Sequence, residues 1–171
     1  RFRYLIKGLG IICIVFISWG MIGNLYHTVV HADAGYYLDT NCDGRQVITI
    51  DAGHGHFTDG KRAFDDSFRE WDINNKVATQ IEHRLETRYG VEVIRLDDVT
   101  GATDVGLGTR VNRAVNNGSD LHISIHQNSF DSNVSGVETF YSHVDNESRN
   151  LANKITNSMA QKMMRNDRGA K

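Results

Sequence analysis

Proline, cysteine and net charge are all scarce in this sequence. No proline occurs among the 171 residues, and nothing else in the composition accounts for its absence. The two cysteines, Cys13 and Cys42, lie in an apolar and a polar segment, so we do not expect them to pair, and a hydrophobic core rather than disulfides must hold the domain. The formal net charge is only −2, so we expect no nucleic-acid partner held by overall electrostatics. Repeats and low-complexity tracts are also absent, which leaves one ordinary globular domain.

The first 34 residues differ in character from the rest of the chain. Basic residues precede an apolar centre, Leu9 to Ile22, and a small-x-small triplet ends the segment at Ala34. This order is typical of an export signal, so we expect residues 1–34 to be a signal peptide and residues 35–45 a linker. The apolar centre is short for a membrane span, which needs about 20 residues. An uncleaved anchor is the alternative, with residues 5–26 as the only membrane contact. Both interpretations predict an exported protein, extracellular or in the cell envelope.

Beyond the linker, strand-like and helix-like segments alternate. Gln46 to Asp51 is rich in β-branched residues and predicts a buried strand. Glu70 to Tyr89 has apolar residues at every fourth position and is followed by Gly90, which predicts a helix with a glycine C-cap. The alternation predicts an α/β layered domain over residues 46–171. Further strands are predicted over residues 91–96, 121–126 and 137–141, and further helices over 109–116 and 147–164.

Three polar side chains stand where such a sheet would bring them together. His54 follows the first strand, His126 closes the third, and Glu70 opens the helix between them. The carboxyl ends of parallel strands share one edge of a sheet, where ligands bind. Two imidazoles and a carboxylate are the protein ligands of a catalytic zinc site, with a fourth position for water. The arrangement is therefore a candidate site for one zinc ion.

Ordinary interpretations of the same residues remain open. A histidine at a strand end is commonly a hydrogen-bonded surface residue, and a glutamate in the first turn is stabilised by the helix dipole. The distances between the three candidates along the chain match no short local motif. His56, His122 and His143 compete as ligands, although polar lining or surface positions suit them better.

Several segments, taken in order, resemble the zinc-dependent N-acetylmuramoyl-L-alanine amidases, the cell-wall amidases of autolysins and phage endolysins. The resemblance extends from Val47 to Lys171. Each segment is a weak signal by itself, whereas their common order is specific. The segments are ITIDAGHGH, FREWDINN, VIRLDD, LGTRVNRAVNN, SDLHISIHQNS, GVETFYS and RNDRGAK.

This resemblance implies a three-layer α/β domain, with a central mixed, mostly parallel sheet flanked by helices. It implies that His54, Glu70 and His126 bind one Zn²⁺ and that the substrate is peptidoglycan. The bond hydrolysed would be the amide between N-acetylmuramic acid and L-alanine. Zinc would then bind the water and the scissile carbonyl, while a carboxylate would carry the proton to the leaving amine. Export agrees with this, because peptidoglycan lies outside the membrane.

The sequence departs from the family pattern in its opening motif and at its end. Ala52 replaces a usual proline and His56 a common glycine, and neither is a ligand. The family's general-base glutamate lies on a late strand beyond the RGAK-like segment, so no residue here takes that role by motif. Glu138 belongs to a different segment and is expected to be structural or to line a groove. We therefore expect an incomplete domain that lacks its last strand and helix, with poor stability and little turnover by itself.

Five further residues are weaker candidates. Asn128, Arg110 and Arg168 could contact the substrate, since stem peptides carry carboxylates, but for Arg110 a structural anchor is an equally good interpretation. Asp51 and Ser124 are candidates for orienting the ligand histidines from behind. For Asp51 the alternative is capping of the following turn.

Two other functions remain open. A related zinc peptidase that acts on peptide carboxyl ends would need an arginine to hold the terminal carboxylate, and the sequence has no distinctive one. A peptidoglycan-binding module that holds metal without catalysis is favoured by the lack of an assignable general base.

Overall fold

A computed structural model describes residues 10–17, 45–58, 67–128, 135–142 and 146–171. Most of the predicted signal or anchor, all but the last residue of the predicted linker, and His143 lie outside these residues. Within the described part, no helix is both long enough and apolar enough to cross a membrane. The elements are β1 (Gly10–Ile17), β2 (Val47–Ala52), α1 (Glu70–Tyr89), β3 (Glu92–Arg95), α2 (Leu107–Asn116), β4 (Leu121–Asn128), β5 (Gly136–Tyr141), α3 (Asn146–Met163) and β6 (Asp167–Ala170).

The described strands form one sheet in the order β3-β2-β4-β1-β5-β6. All neighbours run parallel except β1 and β5, which are antiparallel. The sheet is thus mixed and mostly parallel, as expected. Strands β2 and β4 are parallel neighbours in this sheet, and Asp51 lies opposite Ser124. Both strands therefore end at the same edge.

Helices cover both faces of this sheet and confirm the layered α/β fold. On β2, Ile48 and Ile50 belong to the core, whereas the alternate residue Asp51 points to the opposite face. Helices α1 and α3 pack on the Ile50 face, and α2 lies on the other, where its Arg110 meets Asp51. The core cluster comprises Ile48, Ile50, Ala52, Trp71, Ala78, Val93, Leu121, Ile123, Ile125, Val137, Ile155, Met159 and Ala160.

Helix α1 begins and ends as its sequence predicts. Arg69 donates its N–H to Asp72 Oδ2 at 2.9 Å in the first turn, and Gly90 ends the helix in the left-handed region with φ 65°. The buried face differs from the predicted one. Trp71, Asn74 and Ala78 are buried, whereas the predicted stripe at Val77 and beyond is only partly buried against the core.

Strand β1 is the main difference from the sequence-based expectation. We expected the apolar N-terminal segment to lie apart from the domain, but residues 10–17 pair with β4 on one side and β5 on the other. An uncharged run rich in isoleucine and valine suits a strand buried on both faces as well as it suits a signal. Hydropathy alone does not distinguish a buried strand from a signal segment.

Candidate metal centre

The loop after β2 presents His54 in an unusual backbone conformation. His54 has φ 68°, a left-handed value that few residues other than glycine adopt. The preceding Gly53 donates its N–H to Ile125 O at 2.8 Å, which brings this loop against the end of β4. A β-carbon on Gly53 would collide with the ring of His126. Glycine therefore leaves room for the His126 ring in its observed position, because the backbone of this loop passes directly beside that ring.

His54, Glu70 and His126 come together at this edge. Glu70 Oε1 lies 3.5 Å from His54 Nε2 and 3.2 Å from His126 Nδ1. The two imidazole rings meet edge to face, with centroids 5.1 Å apart. One candidate ligand atom from each residue lies within 4.8 Å of the other two. The structure therefore assembles the three residues that the sequence singled out.

The burial of these side chains suits a metal that substrate can reach. The Glu70 side chain is only 2% exposed, whereas those of His54 and His126 are 30% and 25% exposed. A buried carboxylate that faces two imidazoles is stabilised by a cation placed between them. Two nitrogen donors and one oxygen donor match the preferences of Zn²⁺. The residues therefore fit a zinc ion with one side open to solvent.

Backbone from β4 fixes the Glu70 carboxylate. Gln127 donates its N–H to Glu70 Oε1 at 2.9 Å. Since Gln127 follows His126 directly, the same strand end supplies one imidazole and anchors the carboxylate.

Arg110 does not line this site, which corrects its predicted contact with substrate. It is only 4% exposed, and its guanidinium is bonded to Asp51, to Ala52 O at 2.9 Å and to Val105 O at 2.6 Å. A fourth, longer bond of 3.4 Å reaches His54 O. Arg110 is therefore an anchor for the loop that carries His54, the alternative that its sequence position left open.

Asp51 also acts differently from its prediction. It contacts neither ligand ring in the described part of the chain. Instead it accepts from Arg110 and from Ser124 Oγ (2.9 Å), while His122 Nε2 lies 3.0 Å from its other oxygen. Burial raises the pKa of Asp51, but the bond with His122 and the charge of Arg110 together hold that pKa below its ordinary value. Asp51 and Ser124 thus support the loop from behind through Arg110.

His122 and His56 are both engaged elsewhere. His122 Nδ1 lies 3.0 Å from Thr49 Oγ1, which is bonded in turn to Ser119. His56 Nδ1 lies 2.9 Å from Asp72, and its ring packs edge-on against Trp71. Neither histidine joins the cluster, as the sequence interpretation expected.

The remaining candidates lie on β4 to β6. Arg168 Nε donates to Glu138 Oε2 at 3.3 Å, and Lys171 binds the same carboxylate oxygen. Burial raises the pKa of Glu138, but its bonds to Lys171 and Arg168 bring that pKa below the ordinary value. Arg168 is about one-third exposed, so its predicted role toward substrate stays a prediction. Asn128 is the last residue of β4, and its predicted role toward substrate stays a prediction.

Comparison with known proteins points to one family. Residues 48–171 match the family of N-acetylmuramoyl-L-alanine amidases. A Bacillus subtilis protein named YqiI is 33% identical over 128 residues, which are 74% of this chain and 60% of that protein. The Bacillus subtilis N-acetylmuramoyl-L-alanine amidase LytC is 32% identical over 130 residues, 74% of this chain and 25% of that protein. The chain thus spans less than two-thirds of the length of both relatives.

A solved structure agrees with this assignment. The catalytic domain of CwlV, an N-acetylmuramoyl-L-alanine amidase from Bacillus (Paenibacillus) polymyxa var. colistinus, is 30% identical with a TM-score of 0.63. The match covers 73% of this chain and 68% of that one.

Proposed function

Because the chain belongs to the N-acetylmuramoyl-L-alanine amidase family, we propose that it hydrolyses the amide between N-acetylmuramic acid and L-alanine in peptidoglycan, with zinc as cofactor. The observation that carries this proposal is the His54–Glu70–His126 cluster, which lies inside the matched region with its candidate ligand atoms within 4.8 Å of one another. A peptidoglycan substrate requires that the protein act in the cell envelope or outside the cell.

The three residues of the cluster would hold the ion. When bound, zinc acidifies a water molecule and polarises the scissile carbonyl. The bond from Gln127 N–H keeps the Glu70 carboxylate in place, and Arg110 keeps the His54 loop in place. Because both imidazoles are partly exposed and Glu70 is buried, the substrate would approach from the histidine side.

Glu138 is a poor candidate for the general base. Two cations hold its carboxylate, and its lowered pKa makes it a weaker proton acceptor than an ordinary glutamate. Glu138 therefore does not suit the role of proton acceptor. This observation favours a second candidate function, a domain that binds zinc and peptidoglycan without cleaving it.

The test measures zinc content and cleavage together. The chain is purified as wild type, as His126→Ala, and as His83→Ala, a control at an exposed position of α1. We expect one zinc per chain by elemental analysis in the wild type and in the control, and loss of zinc in His126→Ala. Digestion of purified cell walls is followed by the appearance of L-alanine amino termini.

The outcomes separate the candidates. Zinc with new L-alanine amino termini supports the amidase. Zinc with wall binding but no new amino termini supports the binding domain. A folded wild type that takes up no zinc contradicts both.

A further inference from the structure

Asn74 is a fully buried amide on the face of α1 that packs on the sheet. It is 0% exposed, and its buried neighbours on α1 are Glu70, Trp71 and Ala78. Burying an amide is unfavourable unless its donors and its acceptor are hydrogen-bonded. An apolar residue would suit this position better if packing were its only requirement. The retained polarity therefore calls for an explanation in what Asn74 contacts.

The amide of Asn74 reaches all three segments of the candidate metal centre. Its Nδ2 donates to Gly53 O at 3.2 Å and to Glu70 Oε1 at 3.4 Å. Its Oδ1 accepts from Gln127 Nε2 at 3.3 Å. Gly53 immediately precedes His54, and Gln127 immediately follows His126. One side chain thus touches the carboxylate and the residue adjacent to each imidazole.

The partners fix the orientation of this amide. A main-chain carbonyl and a carboxylate only accept hydrogen bonds, so the NH₂ group of Asn74 must face Gly53 and Glu70. Its oxygen then faces Gln127. The contacts are long for hydrogen bonds, so no single one is strong. Their combined effect is geometric, because they link β2, α1 and β4 at the edge where the ligands converge.

We propose that Asn74 is the positioning residue of the metal centre, which sets the separation of the His54 loop, Glu70 and the His126 strand end. The inference rests on the proposed function, since it concerns the ion that these residues would hold. Ligands must be held within about 0.5 Å of their working positions. Residues that orient ligands change metal affinity by about 10–100-fold when they are replaced.

Two replacements separate positioning from packing. Asn74→Leu keeps the branched shape with a somewhat larger volume and removes every side-chain hydrogen bond, whereas Asn74→Ala removes the bonds and leaves a cavity. Gln127→Ala removes only the bond to Asn74 Oδ1, at a half-buried position. This variant is the substitute test if both Asn74 replacements prevent folding. Asn75→Ala is the matched control, because Asn75 is the next residue of the same helix and accepts from Arg95 at 2.7 Å, away from the cluster.

The measurement is zinc affinity of the full chain, by competition with a chromogenic chelator, together with the visible spectrum of the Co²⁺-loaded protein. We expect zinc to bind about 10–100-fold more weakly in both Asn74 variants, with a smaller loss in Gln127→Ala. The Co²⁺ bands, which report ligand geometry, should shift in the Asn74 variants. Asn75→Ala should change neither property, although it should unfold at a lower urea concentration.

Wild-type zinc affinity and an unchanged Co²⁺ spectrum in folded Asn74→Leu would overturn the inference while leaving the zinc amidase proposal intact. If both Asn74 variants fail to fold, wild-type affinity in Gln127→Ala would overturn it instead. A wild type that takes up no zinc would overturn the proposed function, and this inference with it.

Discussion

Replacement of Gly53 by alanine should separate metal binding from folding. A β-carbon at Gly53 would lie 2.5 Å from His126 Nε2 and closer still to the two neighbouring ring atoms. Unbonded heavy atoms normally stay about 3.5–4.0 Å apart, so the ring must move by about 1 Å or more. Metal–ligand distances deviate from their ideal values by only about 0.2 Å in working sites. The displaced imidazole can no longer share an ion with Glu70 and His54.

The effect on folding should be much smaller than the effect on metal. Overpacking usually destabilises a domain by about 1–3 kcal/mol. The His126 side chain is 25% exposed, so its ring can swing toward solvent rather than force the sheet apart. We expect a loss of about 1–2 kcal/mol in the free energy of unfolding in urea. The same variant should bind zinc at least about 100-fold more weakly, because it loses a ligand rather than a supporting contact.

Gly108→Ala is the control for this experiment. A β-carbon there meets nothing within 4 Å, and Gly108 lies in α2. Alanine in a helix is more stable than glycine by about 0.5–1 kcal/mol, so this variant should be slightly stabilised and should keep its zinc. Zinc affinity in Gly53→Ala within about threefold of the wild type and the control would refute the reasoning, because a displacement of about 1 Å exceeds what the site tolerates.

Three further predictions concern the stability of the fold and test the roles of Arg110, Asp51 and Gly90. Arg110→Met leaves the buried Asp51 carboxylate without its arginine and should lower the free energy of unfolding in urea by about 3–5 kcal/mol; a loss below about 1 kcal/mol would contradict the anchoring role. Because the pKa of Asp51 is lowered in the folded chain, its contribution to stability is complete above about pH 5 and is lost as the pH falls through the folded pKa. Asp51→Asn should therefore flatten the dependence of unfolding free energy on pH below about pH 5, and an unchanged slope would contradict this assignment. Gly90→Ala should lower the free energy of unfolding, measured by thermal denaturation, by about 1–2 kcal/mol. The backbone has φ 65° at this position and the added carbon meets no neighbour, so backbone strain accounts for the whole effect.

Local signals in the sequence were sufficient for α1, whereas the three residues of the cluster were singled out by the expected strand ends and by the family resemblance. Apolar residues at regular spacing, followed by Gly90, predicted the helix from Glu70 to Tyr89 with the observed ends. Short apolar runs predicted where β2 and β4 end, to within two residues. Parallel strands end at the same edge of a sheet, which placed His54 near His126. These inferences succeeded because each depends on neighbouring residues or on a general property of parallel sheets.

The network behind the site was not predictable in the same way. Arg110 and Asp51 are 59 residues apart, and neither belongs to a local pattern that marks the other as a partner. Charge type alone suggested a substrate role for Arg110, whereas the structure buries it. Asn74 was also missed, although its position four residues after Glu70, on the same face of the helix, was a signal that could have found it. The apolar segment at residues 10–17 was expected to belong to a signal or an anchor, and its pairing with β4 joins residues far apart in the chain that no local pattern connects.

The pairing of β2 with β4 also determines when the metal can act during folding. His54 and His126 are neighbours only through this pairing, and the Gly53–Ile125 hydrogen bond closes a long stretch of chain. Closing such a stretch must precede any shared ion, so metal cannot nucleate folding as it does where ligands are closely spaced. An ion captured after the sheet has formed stabilises the native state more than the folding transition state. Zinc should therefore prolong the lifetime of the folded chain and leave its rate of folding nearly unchanged.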